Sequence, residues 1–131
     1  MNSFLDSANL CVFVWGSSWQ LFSPEDCVRL VNTITGWNDF TIDEMLLVGE
    51  RRLNMLRAFN AREGIDRTAD KLPQKFFKTL QGDGPSAGIA LDIEEIMQAQ
   101  EWYYEMSGWN IESGNPTNST LKRLGLEWIE L

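Results

Sequence analysis

Paired signals that start and end α-helices recur along this chain, and they restrict its fold more than any other sequence feature. A capping side chain followed by acidic residues indicates a helix start, and a glycine after the apolar pattern indicates a helix end. The predicted helices run from Ser23 to Gly36, from Thr41 to Gly64, from Asp92 to Gly108, and from the Asn115–Thr117 turn to Gly125. Such spacing is typical of an all-α protein.

The residues at two of these starts show why helices are expected. Ser23 precedes a proline and two acidic residues, which suits the first turn of a helix. Thr41 and Glu44 have the spacing of a capping box. The run VFVW, residues 12–15, is the only β-like stretch, and residues 74–80 could form a short helical turn. We therefore predict one compact all-α domain that covers residues 1–131.

Composition excludes several classes of function. The chain has 131 residues, 44% of them hydrophobic, and a net charge of −8. A sizeable core is therefore possible, whereas binding to nucleic acid or to an anionic membrane surface is not expected. No apolar run is long enough to span a bilayer, and the first residues lack the basic region of a signal peptide. These features predict a cytoplasmic protein.

The residue types with reactive side chains are few. The chain contains no histidine, which excludes Ser-His and Cys-His catalysis within it. Its two cysteines, Cys11 and Cys27, do not form a disulfide framework, and alone they could not supply the four ligands that an iron–sulfur cluster usually takes. We interpret Cys27 as a small core residue, and we assign no catalytic residue to this chain.

The long helix predicted after Thr41 has one apolar face with polar groups on it. The residues expected to be buried there are Leu46, Gly49, Leu53 and Leu56, flanked by Met45 and Phe59. Asn60 falls in the middle of this face, and Arg52 and Glu63 fall at its edge. Because unpaired buried polar groups are costly, we expect these three to be hydrogen-bonded. They could form caps and ties to a neighbouring loop, or the polar wall of a site.

Two further clusters allow a structural and a functional interpretation. Asp92, Glu94 and Glu95 could be paired catalytic acids, but a first helical turn favours acids in any case. The aromatic residues around Tyr104 could form a ligand cage, but such clusters more often belong to a core. The glycine-rich stretch 81–88 lacks the consecutive Lys-Ser or Lys-Thr pair of a phosphate-binding loop.

Four stretches in order resemble one known family, the tungsten-containing aldehyde:ferredoxin oxidoreductases. DSANLC, Asp6–Cys11, is similar to the family's D-x-x-G-L-C motif. RAFNAREG, Arg57–Gly64, and DKLPQKF, Asp70–Phe76, follow. The last stretch, Tyr103–Leu126, resembles the family's closing pattern of YY, GWD, G-x-PT and L-x-x-LGL. The resemblance covers nearly the whole chain and implies the helical C-terminal part of such an enzyme.

The resemblance implies cofactors and site residues. Members oxidise aldehydes to carboxylates at tungsten held by two pterins, and a 4Fe–4S cluster beside it passes electrons to ferredoxin. By match to the motif, Cys11 would be the fourth cluster ligand, Asp6 would hydrogen-bond a pterin, and Leu10 would line the contact between pterin and cluster. The other cluster cysteines belong to an upstream C-x-x-C-x-x-x-C segment. The upstream domains of the enzyme are therefore expected partners.

Besides Asn110, which stands where the closing motif of the family has Asp, this chain departs from the family pattern in two respects. Asn9 replaces the family's glycine, and asparagine is the residue other than glycine that best tolerates left-handed backbone geometry. The upstream part is absent, so we expect a C-terminal fragment that is inactive and without cofactor when isolated. The alternative is a stand-alone helical interaction module that has lost its cofactor.

A surface once covered by the upstream domain is expected to be apolar. It would comprise Leu10, Val12, Phe13 and Trp15. Exposed patches of this kind often drive association, so a homodimer formed through this region is possible.

Overall fold

Helices account for the regular structure of residues 1–16 and 21–131, the parts of the chain that the computed structural model describes. The α-helices are α1 (Asn2–Ser7), α2 (Val12–Trp15), α3 (Pro24–Thr35), α4 (Ile42–Arg62), α5 (Ile93–Ser107) and α6 (Asn118–Arg123). Short 3₁₀ turns lie at Arg67–Ala69 and Gln74–Phe77. Within the described residues there is no β-strand, only an isolated antiparallel bridge between Trp109 and Pro116. The all-α prediction is confirmed.

The predicted helix starts are confirmed. Each is formed by hydrogen bonds between residues of a single turn, which is why a short stretch of sequence was enough to locate it. The Ser23 hydroxyl accepts the Asp26 N–H at 3.3 Å, and the Thr41 hydroxyl accepts the Glu44 N–H at 3.2 Å. Both starts are complete capping boxes. The Asp92 carboxylate accepts the Glu94 N–H at 2.7 Å, so the acids at the start of α5 cap and line its first turn.

Two local predictions are corrected. The β-like run VFVW forms α2, in which the Cys11 carbonyl accepts the Val14 and Trp15 N–H groups at 3.0 and 2.9 Å. The strand propensity of VFVW is not expressed, because the described residues contain no strand with which it could pair. The helix that begins after Thr41 ends at Arg62, two residues before the predicted Gly64, which has a left-handed φ of 77°.

Two apolar clusters hold the helices together. The first joins α1, α3 and α4 and contains Phe4, Leu5, Cys27, Phe40 and Met45. The second lies around α6 and contains Leu121, Leu124 and Leu126, with Leu47 of α4 against it. Cys27 is 0% exposed, as predicted for a small core residue.

α1 approaches α4 closely at a glycine. A Cβ atom added to Gly49 would lie 3.3 Å from the Phe4 backbone nitrogen. Both Phe4 and Gly49 are buried, so the absence of a side chain allows the two helices to pack at short range.

The predicted buried face of α4 is only partly correct. Met45 and Gly49 are buried, but Leu46, Leu53, Leu56 and Phe59 are 49%, 42%, 48% and 61% exposed. The C-terminal half of α4 instead buries Asn54, Arg57 and Ala58, which lie on another side of the helix. Periodicity located the apolar side of α4, but among the described residues α1 covers this side only around Gly49.

The expectation that the three polar side chains on that face are hydrogen-bonded is met for one of them. Arg52 forms an ion pair with Asp6 at 3.2 Å. The Asn60 main-chain carbonyl accepts the Glu63 and Ile65 N–H groups at 3.1 and 2.9 Å, which closes the end of α4, but the side chains of Asn60 and Glu63 form no hydrogen bond among the described residues.

Two further surfaces differ in how well they were predicted. Of the aromatic cluster, Tyr104 is buried as expected, but Trp102 is 57% exposed. In the expected apolar patch, Val12 and Phe13 are exposed, whereas Leu10 and Trp15 are partly buried against the first cluster. A homodimer through this region remains a prediction. None of the described helices is long and apolar enough to cross a membrane.

Candidate functional site

The turn between α1 and α2 carries the predicted site residues. Asn9 has φ 55°, the left-handed conformation that its replacement of glycine suggested, and it is the only described residue other than glycine with a positive φ. The Leu10 N–H donates to the Leu5 carbonyl at 2.8 Å and closes α1. The chain therefore reverses at Asn9 and brings Cys11 to the start of α2, where it is the capping residue.

Asp6 projects from α1 towards α4. Its carboxylate lies 3.2 Å from the Arg52 guanidinium, and the side chain of Asp6 remains 56% exposed. An ion pair this exposed contributes little stability, about 0–1 kcal/mol. Its main effect is to orient the carboxylate, which keeps free acceptor positions on its solvent side.

The two thiols differ in their surroundings. Cys11 is exposed, whereas Cys27 is buried. Burial, and to a smaller extent the negative charge of Asp26, raises the pKa of the Cys27 thiol. Cys11 is therefore the thiol that an external ligand can reach.

The site residues do not form a complete metal site within the described chain. Across residues 1–16 and 21–131, no group of three or more Cys, Asp or Glu side chains is placed to hold an ion. Asp6, Leu10 and Cys11 supply one carboxylate, one partly buried apolar side chain and one exposed thiol. This set can contribute single contacts to a group held mainly by other residues.

A second polar cluster, which the sequence did not predict, joins three distant segments. Arg57 donates from Nη1 and Nη2 to the two carboxylate oxygens of Asp70, at 2.9 and 2.6 Å, and from Nε to the Gly114 carbonyl at 2.8 Å. The Tyr104 hydroxyl donates to Asp70 Oδ2 at 2.6 Å. We call Arg57, Asp70, Tyr104 and Gly114 the Asp70 cluster. The signal that could have revealed it is that its members belong to three of the four recognised motifs.

Aromatic rings surround the Arg57 guanidinium. Its Cζ lies 5.3 Å from the centre of the Trp109 ring, and the Trp109 indole N–H donates to the Asn54 side chain at 2.9 Å. Arg57 is 8% exposed. A guanidinium this buried needs every donor satisfied, and the cluster provides a bidentate carboxylate, a carbonyl and a π-face.

The Asp70 cluster shifts two pKa values in opposite directions. Burial by itself raises the pKa of Asp70, but hydrogen bonds from Arg57 and Tyr104 and the Arg57 charge outweigh it and hold this pKa below the usual value. Burial, the hydrogen bond to Asp70 and the Asp70 charge raise the pKa of Tyr104 to about 12. The cluster thus favours an ionised Asp70 and a neutral Tyr104.

The raised pKa of Tyr104 predicts a loss of stability at alkaline pH. The ordinary value is 10.0, and the folded value is about 12. The hydroxyl's contribution should therefore be complete below pH 10 and lost as the pH rises from 10 to 12. Urea unfolding of wild type and Tyr104→Phe across this range checks it: the stability difference between them should shrink towards pH 12. A difference that stays constant with pH would contradict it.

Comparison with known families gives these features a context. The family described as "Aldehyde ferredoxin oxidoreductase, domains 2 & 3" matches residues 1–126. The chain belongs to the aldehyde ferredoxin oxidoreductase family. The resemblance of the four motifs is thus confirmed, and it extends over both the Asn9–Cys11 turn and the Asp70 cluster.

Curated members of the aldehyde ferredoxin oxidoreductase family are much longer than this chain. A tungsten-containing aldehyde ferredoxin oxidoreductase of Pyrococcus horikoshii is 33% identical over 128 residues, which cover 97% of this chain and 20% of that protein. The enzyme of the same name from Pyrococcus furiosus is 32% identical, over 96% of this chain and 20% of that protein. The chain therefore spans about a fifth of the length of these relatives.

A solved structure shows that the fold recurs within a larger chain. The active site complex BamBC of benzoyl coenzyme A reductase, in complex with 1,5 dienoyl-CoA, matches with a TM-score of 0.78. The match covers 98% of this chain and 18% of that one, at 20% sequence identity. At this identity the likeness establishes the fold alone, which is the fold described above.

Proposed function

We propose that this chain is the C-terminal helical part of an oxidoreductase that oxidises aldehydes to carboxylates and passes the electrons to ferredoxin. The observation that carries the proposal is the turn at Asn9, which presents the exposed Cys11 within the family's D-x-x-G-L-C position. Aldehyde, tungsten and ferredoxin enter through the names of the relatives, of which this chain spans about a fifth. The enzyme would act in the cytoplasm.

Cys11 fits the role of one ligand to a 4Fe–4S cluster. An iron–sulfur cluster takes thiolate ligands, usually four, and Cys11 is exposed where a metal could reach it. Cys27 is buried in the first apolar cluster and does not fit this role. The other ligands would come from the remaining domains of the enzyme, which are the partner that this part of the chain requires.

Asp6 and Leu10 fit the role of contacts to the pterin. The Asp6 carboxylate is oriented by Arg52 and is still half exposed, so it can accept hydrogen bonds from the N–H groups of a pterin ring. Leu10 packs partly against the first cluster and would line the contact between pterin and iron–sulfur cluster. Arg52 would act as a positioning residue for Asp6.

The cofactors and the residues of this chain would have different roles, as in other cofactor-dependent enzymes. When bound, the two-pterin tungsten centre and the cluster supply the oxidation and the electron transfer. The residues of this chain ligate, accept hydrogen bonds and exclude water at one edge of the site. The isolated domain, residues 1–131, is expected to bind no cofactor and to be inactive.

Loss of bound iron on replacement of Cys11 tests this proposal. The chain would be co-expressed with the remaining domains, encoded by the reading frame that carries the C-x-x-C-x-x-x-C segment, and the purified complex analysed for iron and tungsten. We expect Cys11→Ala to lower the iron content severely, because the cluster loses a thiolate ligand. Cys27→Ala is the control and should retain iron, since its thiol is buried.

Two outcomes would overturn the proposal. Full iron content in the Cys11→Ala complex would remove Cys11 from the cluster ligands. A wild-type complex that forms but contains no iron would favour the alternative, a helical interaction module without cofactor.

A further inference from the structure

The apolar side of α4 is exposed over part of its length and has no covering element there among the described residues. We propose that it is the docking face for the remaining domains of the same enzyme. We call the face formed by Leu53, Leu56 and Phe59 the α4 strip. The inference rests on the proposed function, which makes the chain one part of a larger enzyme, and it adds which surface joins that part to the rest.

The α4 strip continues the line along which α1 is seated. α1 covers this side around Gly49 and Arg52, with Phe4 against Gly49 and Asp6 paired with Arg52, whereas Leu46, one turn earlier, is 49% exposed. Leu53 and Leu56 lie four and seven residues after Gly49, so they are on the same side, further along the helix. The helix thus has one apolar side that α1 covers only in part.

The exposure of the α4 strip is high for such a side. Leu53 and Leu56, in the C-terminal half of α4, are 42% and 48% exposed, and Phe59, in its last turn, is 61% exposed. Other sides of α4 contact other parts of the domain: the Arg51 guanidinium donates to the Leu124 carbonyl at 2.8 Å, and Glu50 forms an ion pair with Arg123. A contiguous apolar stripe between sides that are already packed is typical of an interaction surface.

The length of the relatives identifies the occupant. This chain spans about a fifth of each curated relative, so four-fifths of such an enzyme lies outside the structure described here. The α4 strip also lies on the same side of α4 as Arg52, the partner of Asp6, so a domain that reaches the Asp6–Cys11 turn would approach this side of the helix. The occupant should present an apolar surface to the strip and a polar group to the half-buried Asn60.

A binding experiment with neutral substitutions tests the proposal. The chain and the remaining domains, produced as separate polypeptides, are mixed, and their dissociation constant is measured by calorimetry. We expect the double variant Leu56→Gln/Phe59→Gln to bind at least about tenfold more weakly than wild type, because two large apolar side chains leave the interface. Ile34→Gln is the matched control: Ile34 is a large apolar residue, 74% exposed on α3, and its replacement should leave the affinity unchanged.

The outcomes separate this proposal from the proposed function. Glutamine suits an exposed helix position, and circular dichroism with thermal unfolding should confirm that the variants fold as wild type does. Equal affinity of wild type and double variant would overturn the docking face while leaving the function intact. Wild type that does not bind the remaining domains would overturn the proposed function. Light scattering that shows a dimer of wild type, lost in the double variant, would assign the strip to a second copy and also overturn the proposal.

Discussion

Replacement of Asp70 with alanine should lower the free energy of unfolding by about 3 kcal/mol. The reason is that the Arg57 charge would stay buried without its partner. Arg57 is 8% exposed, and two of its nitrogen atoms donate to Asp70 at 2.6 and 2.9 Å. Without the carboxylate, the guanidinium keeps only the Gly114 carbonyl and the face of Trp109. The value lies at the low end of the range for broken buried pairs because the Asp70 side chain is 30% exposed and water can enter.

Denaturant unfolding followed by circular dichroism measures this change. Glu127→Ala is the control, since Glu127 is an exposed acid, and it should stay within about 0.5 kcal/mol of wild type. Tyr104→Phe removes two hydrogen bonds, the one that the hydroxyl donates to Asp70 and the one that it accepts from the Gln100 side-chain amide, and should cost about 1–2 kcal/mol. An Asp70→Ala variant as stable as the control would show that the Asp70 cluster does not hold the domain together.

Replacement of Gly114 with alanine should lower the free energy of unfolding by more than the left-handed backbone geometry of Gly114 alone accounts for. Gly114 and Gly125 both have φ 68°, so alanine at either position adopts an unfavourable left-handed conformation that costs about 1–2 kcal/mol. At Gly114 the added Cβ would also lie 2.7 Å from Arg57 Nη2 and 3.0 Å from the Tyr104 ring. The methyl group can fit only if both side chains move, which breaks their bonds to Asp70.

Gly125→Ala is the matched control because a Cβ there meets nothing within 4 Å. We expect the unfolding free energy of Gly114→Ala to fall at least about 2 kcal/mol further than that of Gly125→Ala. The comparison of denaturation midpoints isolates crowding from backbone strain. Equal losses at the two glycines would mean that Arg57 and Tyr104 give way freely, and the tight packing of the Asp70 cluster would be disproved.

The parts of the fold that were predicted from sequence depend on bonds over short chain distances. The bond between Ser23 and Asp26 spans three residues, and so does that between Thr41 and Glu44. Such signals are visible in a single stretch of sequence. The left-handed turn at Asn9 was also predicted, because few residues tolerate that geometry.

The features that were not predicted depend on contacts between residues that are far apart in the chain. Periodicity located the apolar side of α4, but it does not state whether that side is covered by this chain or by another one. Asp70 is 13 residues from Arg57 and 34 from Tyr104, and no local pattern pairs them. The motifs identified the segments that matter. Only the three-dimensional structure shows that residues from these segments meet at the Asp70 carboxylate.

Two neighbouring parts of α4 are held by different segments of the domain. In the middle of the helix Gly49 and Arg52 contact α1, and five residues after Arg52 the Arg57 side chain is bonded to Asp70. Five residues of helix rise about 7.5 Å, a length that hydrogen bonds along the backbone keep nearly constant. α4 is therefore a rigid connection between α1, which leads into the Asn9–Cys11 turn, and the Asp70 cluster. The separation of these two regions is set by the backbone of a single helix.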